Sequence, residues 1–159
     1  MSTAAGGGNK RKSAARDPSR QGPLTDLRVV EMGQLLAGPF CGQLLADFGA
    51  EVIKVEQPGI GDPMREWGRE KPHGLSLWWP VIARNKKSVE INARAAEGAE
   101  LIRRLAADAD IVLENFRPGT MERWGLGWDR LSAINPRLVM IRVSGYGQTG
   151  PYSAKAGYG

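Results

Sequence analysis

The chain is predicted to be an α/β protein in which helices cover both faces of a parallel sheet. Short apolar segments of strand length alternate with segments of helical periodicity between residues 27 and 143. Residues 111–114 form a mainly apolar run of the kind that is buried in a parallel sheet. Parallel strands joined by helices require right-handed crossovers, so the pattern predicts a Rossmann-like, doubly wound sheet.

The first unit of this sheet is predicted at residues 27–56. A β-prone strand at 27–32 is followed by a small-residue turn and a helix at 39–48. Pro39 suits the first helical position, because its missing N–H would have no partner there, and Gly49 suits a left-handed helix stop. A second strand follows at 51–56. The unpaired N–H groups at the start of such a helix can bind an anion.

The alternation continues through the rest of the chain. Residues 57–71, rich in proline, glycine and charge, are predicted to form a loop, and residues 75–83 a short helix interrupted at Pro80. The elements predicted next are a strand at 87–91, a helix at 95–107, a strand at 111–114, helices at 120–124 and 128–134, a strand at 138–143 and a glycine-rich loop at 144–150. The inward positions of helix 95–107 are predicted to be Ala95, Ala99, Leu101, Ile102, Leu105 and Ala106.

The positive charge of the chain belongs to its N-terminal tail. The net charge is +5, and residues 1–22 contain five basic residues and one acidic residue, against 17 basic and 16 acidic residues in the remainder. The tail is rich in glycine, alanine and serine, so it is predicted to be disordered, with one folded domain at 23–159. Basic blocks of this kind are usually solvated arms, and nucleic acid is not an expected partner.

Other sequence signals argue against several classes of protein. The tail lacks the apolar segment of a secretory signal, and no apolar run approaches the length of a membrane span. The single Cys41 fits a reducing compartment, so we expect a cytoplasmic protein without a membrane partner. Zinc-ligand spacing, a Gly-x-Gly-x-x-Gly turn, a Walker A loop and a serine nucleophile elbow are all missing from the sequence.

Seven short motifs carry a resemblance to a known family. They are Ala-Gly-Pro at 37–39, Asp-Phe-Gly-Ala-Glu-Val-Ile-Lys-Val-Glu at 47–56, Gly-Asp-Pro-Met-Arg at 61–65, Arg-Asn-Lys-Lys-Ser at 84–88, Glu-Asn-Phe-Arg-Pro-Gly at 114–119, Asn-Pro-Arg-Leu at 135–138 and Ser-Gly-Tyr-Gly-Gln-Thr-Gly-Pro at 144–151. In this order they resemble the class III CoA-transferases, which include formyl-CoA transferase, the carnitine and bile-acid CoA-transferases and the α-methylacyl-CoA racemases. The resemblance implies the incomplete N-terminal portion of a longer enzyme that forms an interlocked homodimer at full length.

The candidate ligand crevice follows from the sheet. Ligands of open parallel sheets bind beyond the carboxyl ends of the strands, where loops 34–38, 57–62, 92–94, 115–119 and 144–150 are predicted to meet. The resemblance implies that Asn115, Phe116 and Arg123 contact CoA, through an amide hydrogen bond, ring stacking and a phosphate contact. The alternative from the residues alone is that Asn115 caps a turn and Phe116 fills the core.

The resemblance implies further CoA contacts at Leu36, Ala37 and Tyr158. Some family members have glutamine where this chain has Leu36, so we expect the backbone of this turn to make the contact. Tyr158 matches a tyrosine near CoA in the transferase members, whereas racemase members commonly have histidine there, and this difference favours a transferase. The basic cluster of Arg84, Lys86 and Lys87 has two readings, attraction of CoA phosphates or a solvated loop-to-strand junction.

The resemblance also implies a reaction. In the family an aspartate carboxylate attacks the thioester of an acyl-CoA substrate, and CoA passes to a carboxylic acid acceptor. That aspartate lies downstream of residue 159, so no catalytic residue is assigned here, no permanent cofactor is expected, and this chain alone is expected to be inactive. The alternatives are an acyl-CoA racemase of the same family, with acid–base chemistry at the α-carbon, and an inactive CoA-binding fragment.

Overall fold

A computed structural model describes residues 21–157, and over this range five strands form one parallel sheet. The strands are β1 (Arg28–Glu31), β2 (Glu51–Glu56), β3 (Lys86–Glu90), β4 (Ile111–Glu114) and β5 (Val139–Arg142), in the spatial order β3-β2-β1-β4-β5. The chain therefore moves outward from β1 in one direction and then returns to build β4 and β5 on its other side. The doubly wound α/β prediction is confirmed.

Helices connect the strands and cover both faces of the sheet. They are α1 (Ala37–Asp47), α2 (Trp78–Ala83), α3 (Ala96–Ala107), α4 (Thr120–Arg123) and α5 (Trp128–Ile134). Buried side chains of α3, α4 and α5 pack on the face that carries Val30 and Val112, and α1 packs on the face that carries Val29 and Leu113. Strands and helices were predicted in the correct order, with ends that differ by at most two residues except at α2, which starts three residues later than predicted.

The start of α1 differs from the prediction for a simple reason. The Phe40 N–H already donates to the Leu36 carbonyl at 2.7 Å, so the first helical turn forms two residues before Pro39. Pro39 remains in the first turn, where its missing N–H leaves no gap in the hydrogen-bond ladder. The predicted stop is confirmed, because Gly49 has the left-handed φ of +102°.

Two predictions about the segment after β2 are wrong. Residues 57–71 are not loop throughout, because a 3-10 turn at Pro63–Glu66 begins where the Asp62 side chain accepts the Met64 N–H at 2.8 Å. A second 3-10 turn follows at Pro72–Gly74. Pro80 does not interrupt a helix, because α2 starts only at Trp78 and its first-turn N–H groups need no intrahelical partner.

The buried face of α1 is made of small residues and brings the helix close to the sheet. Gly38, Gly42 and Ala46 lie on this face, whereas Leu44 and Phe48 are exposed. An ideal Cβ on Gly42 would lie 1.9 Å from the Glu31 carboxylate, so only glycine fits there. In α3, Leu101 is exposed and not inward, while Ala99, Ile102 and Ala106 are buried as predicted.

Some sequence expectations lie outside or at the limits of this description. Residues 1–20 of the predicted disordered tail (1–22) and the predicted contact of Tyr158 fall outside the described residues. Between residues 21 and 157 no helix is long and apolar enough to cross a membrane. Within the same range no group of histidine, cysteine, aspartate and glutamate side chains is arranged to hold a metal ion.

Candidate functional site

A pocket of about 400 Å³ opens at the carboxyl end of the parallel sheet. Its walls come from the end of β2, from the loops that follow β1, β2, β3 and β4, and from α4 and the residue after it. The lining residues are Met32, Gln34, Val55, Glu56, Gln57, Ile91, Asn92, Ala93, Arg94, Phe116, Thr120, Arg123 and Trp124. Four of the five predicted crevice loops reach or border this pocket, whereas residues 144–150 are not among the described lining residues.

One wall of the pocket is aromatic. The rings of Phe116 and Trp124 meet edge to face, with centroids 5.0 Å apart, and both side chains are half-buried against the core. The Phe116 N–H donates to the Glu114 carboxylate at 2.6 Å, which fixes the backbone where β4 ends. Burial raises the pKa of Glu114, and the opposing Arg142 guanidinium offsets only part of this effect. The pocket thus offers an apolar, aromatic surface held by buried groups.

Two arginines place positive charge at the rim of the pocket, beside its apolar aromatic wall. Arg94 and Arg123 line the pocket and are exposed, and the Arg123 guanidinium donates to the Thr120 hydroxyl at 2.9 Å. An exposed guanidinium beside a ring surface suits a ligand that has both a heterocycle and anionic groups. Phe116 and Arg123 were predicted as site residues from the sequence, and the structure places both in this pocket.

Asn115 lies beside the pocket with its amide turned towards the β1–α1 loop. Its side-chain oxygen accepts the Gln34 N–H at 2.8 Å, and its side-chain nitrogen donates to the Gln34 carbonyl at 3.0 Å. We call this pair of hydrogen bonds from Asn115 to Gln34 the clamp. An ideal Cβ on Gly33 or Gly38 would lie 2.9 Å from the Asn115 oxygen, so the clamp requires glycine at both positions. Asn115 therefore caps the β1–α1 loop through Gln34, as the alternative reading of this residue proposed. Its direct contact with a ligand stays a prediction.

Two further predicted contacts, Leu36 and Ala37, lie where the β1–α1 loop enters α1. Leu36 is 44% exposed and Ala37 is exposed at the start of α1, and neither is among the described lining residues. Gln34, two residues earlier on the same loop, does line the pocket. The backbone contact of Leu36 and Ala37 with a ligand remains a prediction, as does the contact of Tyr158.

A buried ionic network under the β1–α1 loop was missed by the sequence reasoning. The Lys54 ammonium is 3.0 Å from the Glu31 carboxylate and 2.7 Å from the Asp62 carboxylate, and it donates to the Gly33 carbonyl at 2.8 Å. Lys86 pairs with the second Glu31 oxygen at 2.7 Å. The signal was present, because charged residues interrupt the apolar runs of β1 and β2, but their partners lie in other elements.

The basic cluster of Arg84, Lys86 and Lys87 does not face the pocket. Arg84 pairs with Asp47 at 2.6 Å, and Lys87 pairs with Glu51 at 2.7 Å. The Lys86 side chain is buried, and burial lowers its pKa despite the neighbouring Glu31 carboxylate. Each of the three cations has a carboxylate partner, although Glu31 also pairs with Lys54 and Glu51 also pairs with Arg28. The phosphate-attracting reading of this cluster is therefore not supported.

Glu56 ties the end of β2 to the following loop. Its carboxylate accepts from the Arg65 guanidinium at 2.8 and 2.9 Å, from the Asp62 N–H at 2.9 Å and from the Ser88 hydroxyl. Burial favours the neutral acid, but these donors outweigh it and lower the pKa of Glu56 to about 2. Asp62 thus caps the following 3-10 turn, and Arg65 pairs with Glu56.

Comparison with known proteins identifies the family. A family model described as CoA-transferase family III matches residues 24–159. The chain belongs to CoA-transferase family III. Over 137 residues it is 69% identical to the succinyl-CoA–D-citramalate CoA-transferase of Chloroflexus aurantiacus, covering 86% of this chain and 34% of that protein. Over 136 residues it is 52% identical to the β subunit of succinyl-CoA–L-malate CoA-transferase from the same organism, with 86% and 34% covered.

Solved structures of this family share the fold. A CAIB/BAIF family protein from Brucella suis superposes with a TM-score of 0.80 at 45% identity, covering 86% of this chain and 37% of that one. The Rv3272 protein of Mycobacterium tuberculosis gives a TM-score of 0.79 at 42% identity, with 87% and 38% covered. The family III chain described here thus spans about a third of the length of the relatives it matches.

Proposed function

We propose that this family III protein is the N-terminal, CoA-binding part of a CoA-transferase that moves CoA between an acyl-CoA and a carboxylic acid. The observation that carries the proposal is the pocket at the carboxyl end of the sheet, where the Phe116–Trp124 surface adjoins two exposed arginines. CoA combines an adenine ring with a 3′-phosphate and a diphosphate. A ring surface with guanidinium groups at its rim matches that combination.

Each lining group has a role in this proposal. The adenine ring stacks on Phe116, and Arg94 and Arg123 pair with phosphate oxygens. The backbone at Leu36 and Ala37 approaches the diphosphate or the pantetheine arm from the neighbouring loop. Tyr158 contributes from the segment after β5, as the family resemblance implies. CoA is a substrate in this scheme, and the scheme needs no permanent cofactor.

The relatives support a narrower choice of substrates. The Chloroflexus proteins at 69%, 52% and 50% identity are named for succinyl-CoA as donor and for D-citramalate or L-malate as acceptor. We therefore propose succinyl-CoA as donor and a hydroxylated dicarboxylic acid as acceptor. The names favour transfer over the racemase alternative, while a homodimer and a cytoplasmic location stay predictions from the sequence.

Calorimetric titration with CoA tests the binding role. We expect the folded protein, produced at its natural length, to bind CoA, and Arg123→Ala to weaken binding by about tenfold or more, because a charge-assisted hydrogen bond contributes about 1.5–3 kcal/mol. The matched control is Arg130→Ala, an exposed arginine of α5 outside the pocket, which should bind within about twofold of the wild type. Absence of binding, or equal losses in both variants, contradicts the proposed site.

A product assay separates the reaction classes. Succinyl-CoA and D-citramalate are incubated with the natural-length protein, and the thioesters are separated by chromatography. We expect citramalyl-CoA and free succinate to appear in equal amounts. A racemase would instead incorporate solvent deuterium at the α-carbon of a branched acyl-CoA without exchanging the acid, and an inactive CoA-binding protein would do neither.

A further inference from the structure

The β1–α1 loop holds an unusual backbone conformation at Leu35. Its φ is +61°, in the left-handed region that favours glycine over residues with a side chain. Leu35 follows Gln34, which lines the pocket, and precedes Leu36 and Ala37, where the backbone contact is proposed. A loop conformation that its own sequence disfavours needs partners elsewhere in the fold.

Those partners are buried side chains from other elements. The Leu35 N–H donates to the Asp62 carboxylate at 3.0 Å, and the Gly33 carbonyl accepts from the Lys54 ammonium at 2.8 Å. The Lys54 and Asp62 side chains pair with one another at 2.7 Å, and each is only 1% exposed. Asn115 binds both backbone groups of Gln34 from the other side. Consecutive loop residues are thus held from β2, from the loop after β2 and from the end of β4.

The arrangement is more specific than the packing of the core needs. Burying an ion pair seldom stabilises a fold more than apolar side chains of the same volume would. The Lys54–Asp62 pair, however, directs one donor and one acceptor at two backbone groups of a single loop. Apolar replacements would fill the space and leave both backbone groups without these partners.

We propose that Lys54 and Asp62 are positioning residues that hold the β1–α1 loop in its ligand-binding conformation. The inference rests on the proposed CoA binding and adds a cause for the shape of the site. Without the pair, Leu35 relaxes towards an ordinary φ, and the binding-competent loop becomes a minor conformer. The apparent affinity then falls by the competent fraction, so a loop that is competent for a tenth of the time binds about tenfold more weakly.

The test replaces both charges together. The double variant Lys54→Met with Asp62→Leu removes both charges together, and with them the Asp62 cap on the Met64 N–H, while Glu31 keeps its pairing with Lys86. The matched control is Arg28→Met with Glu51→Leu, which removes a buried pair at 2.6 Å from the amino ends of β1 and β2. Both double variants should melt within a few degrees of each other. We expect CoA binding to weaken about tenfold or more in the first and to change less than about twofold in the control.

Amide hydrogen exchange supplies a readout that does not depend on CoA. The Leu35 amide should be protected in the ligand-free wild type, and should exchange at least about tenfold faster in the Lys54→Met/Asp62→Leu variant than in the control. Unchanged affinity in a folded Lys54→Met/Asp62→Leu variant, or unchanged Leu35 exchange, overturns the positioning role. If the wild type folds and protects Leu35 but does not bind CoA, the proposed function fails, and the ligand-binding part of this inference fails with it. If the first double variant does not fold while the control does, the pair is needed by the whole fold, and its assignment to the loop is overturned.

Discussion

Replacement of Glu56 by glutamine is expected to destabilise the protein in a pH-dependent way. The wild-type carboxylate accepts from Arg65, Ser88 and the Asp62 N–H, and these donors outweigh burial and lower its pKa from the ordinary 4.5 to about 2. By linkage, this difference stabilises the folded state by about 3 kcal/mol at pH 7, where the carboxylate is ionised in both states.

The sign of the pH dependence follows from the lowered pKa. The stabilisation is present above the unfolded-state value of 4.5 and is lost as the pH falls towards about 2. Integrating the linkage relation gives about 2 kcal/mol at pH 3.5 and less than about 0.5 kcal/mol at pH 2. The difference in unfolding free energy between the wild type and Glu56→Gln should shrink along the same curve.

Urea unfolding, followed by tryptophan fluorescence between pH 7 and pH 3.5, measures this difference directly. The control is Glu66→Gln, whose carboxylate is 77% exposed and pairs with Lys71, and which should leave the stability nearly unchanged. A Glu56→Gln loss that is smaller than about 1 kcal/mol at pH 7, or that does not shrink with acid, would refute the electrostatic account.

Two further substitutions examine the packing around the sheet. Gly98→Ala should destabilise the protein by about 1–3 kcal/mol in thermal unfolding, because the new Cβ would lie 1.9 Å from the Asn92 carbonyl oxygen. The control is Glu97→Ala at the neighbouring exposed position, which should leave the stability nearly unchanged. Lys86→Met should cost about 3 kcal/mol or more in urea unfolding, because it removes a buried cation from the Glu31 carboxylate. A Lys86→Met protein as stable as the wild type would show that this pair contributes little.

The sequence predicts the fold well because its signals are local. Periodicity located each strand and helix, and Gly49 marked a real helix end. The rule for parallel sheets then placed the loop that contains Phe116 at one edge, and the family resemblance added Arg123; both side chains line the pocket. The ends of elements were less predictable, because one hydrogen bond, such as that from Phe40 to the Leu36 carbonyl, decides where α1 begins.

The parts that were missed depend on partners distant in sequence. A glutamate in a strand, such as Glu31, gives no indication of whether a lysine 23 residues later is buried against it. A phosphate site stayed one of two readings of the cluster of Arg84, Lys86 and Lys87, because the carboxylates that pair with it lie elsewhere in the chain. Trp124 reaches the pocket only because α4 packs against Phe116, which no local pattern indicates.

The position of β1 in the middle of the sheet has a consequence for the growing polypeptide. β1 pairs with β2 on one side and with β4 on the other. Asn115, which follows β4 and binds Gln34, lies 81 residues after Gln34 in the chain. At roughly 5–20 residues per second, translation needs roughly 4–16 s to supply that second neighbour. Until then one edge of β1, with the later fully buried Val29 and Val30, has no native strand to pair with. The nascent chain must therefore avoid pairing of this apolar edge with non-native strands until β4 has been synthesised and the ligand pocket can form.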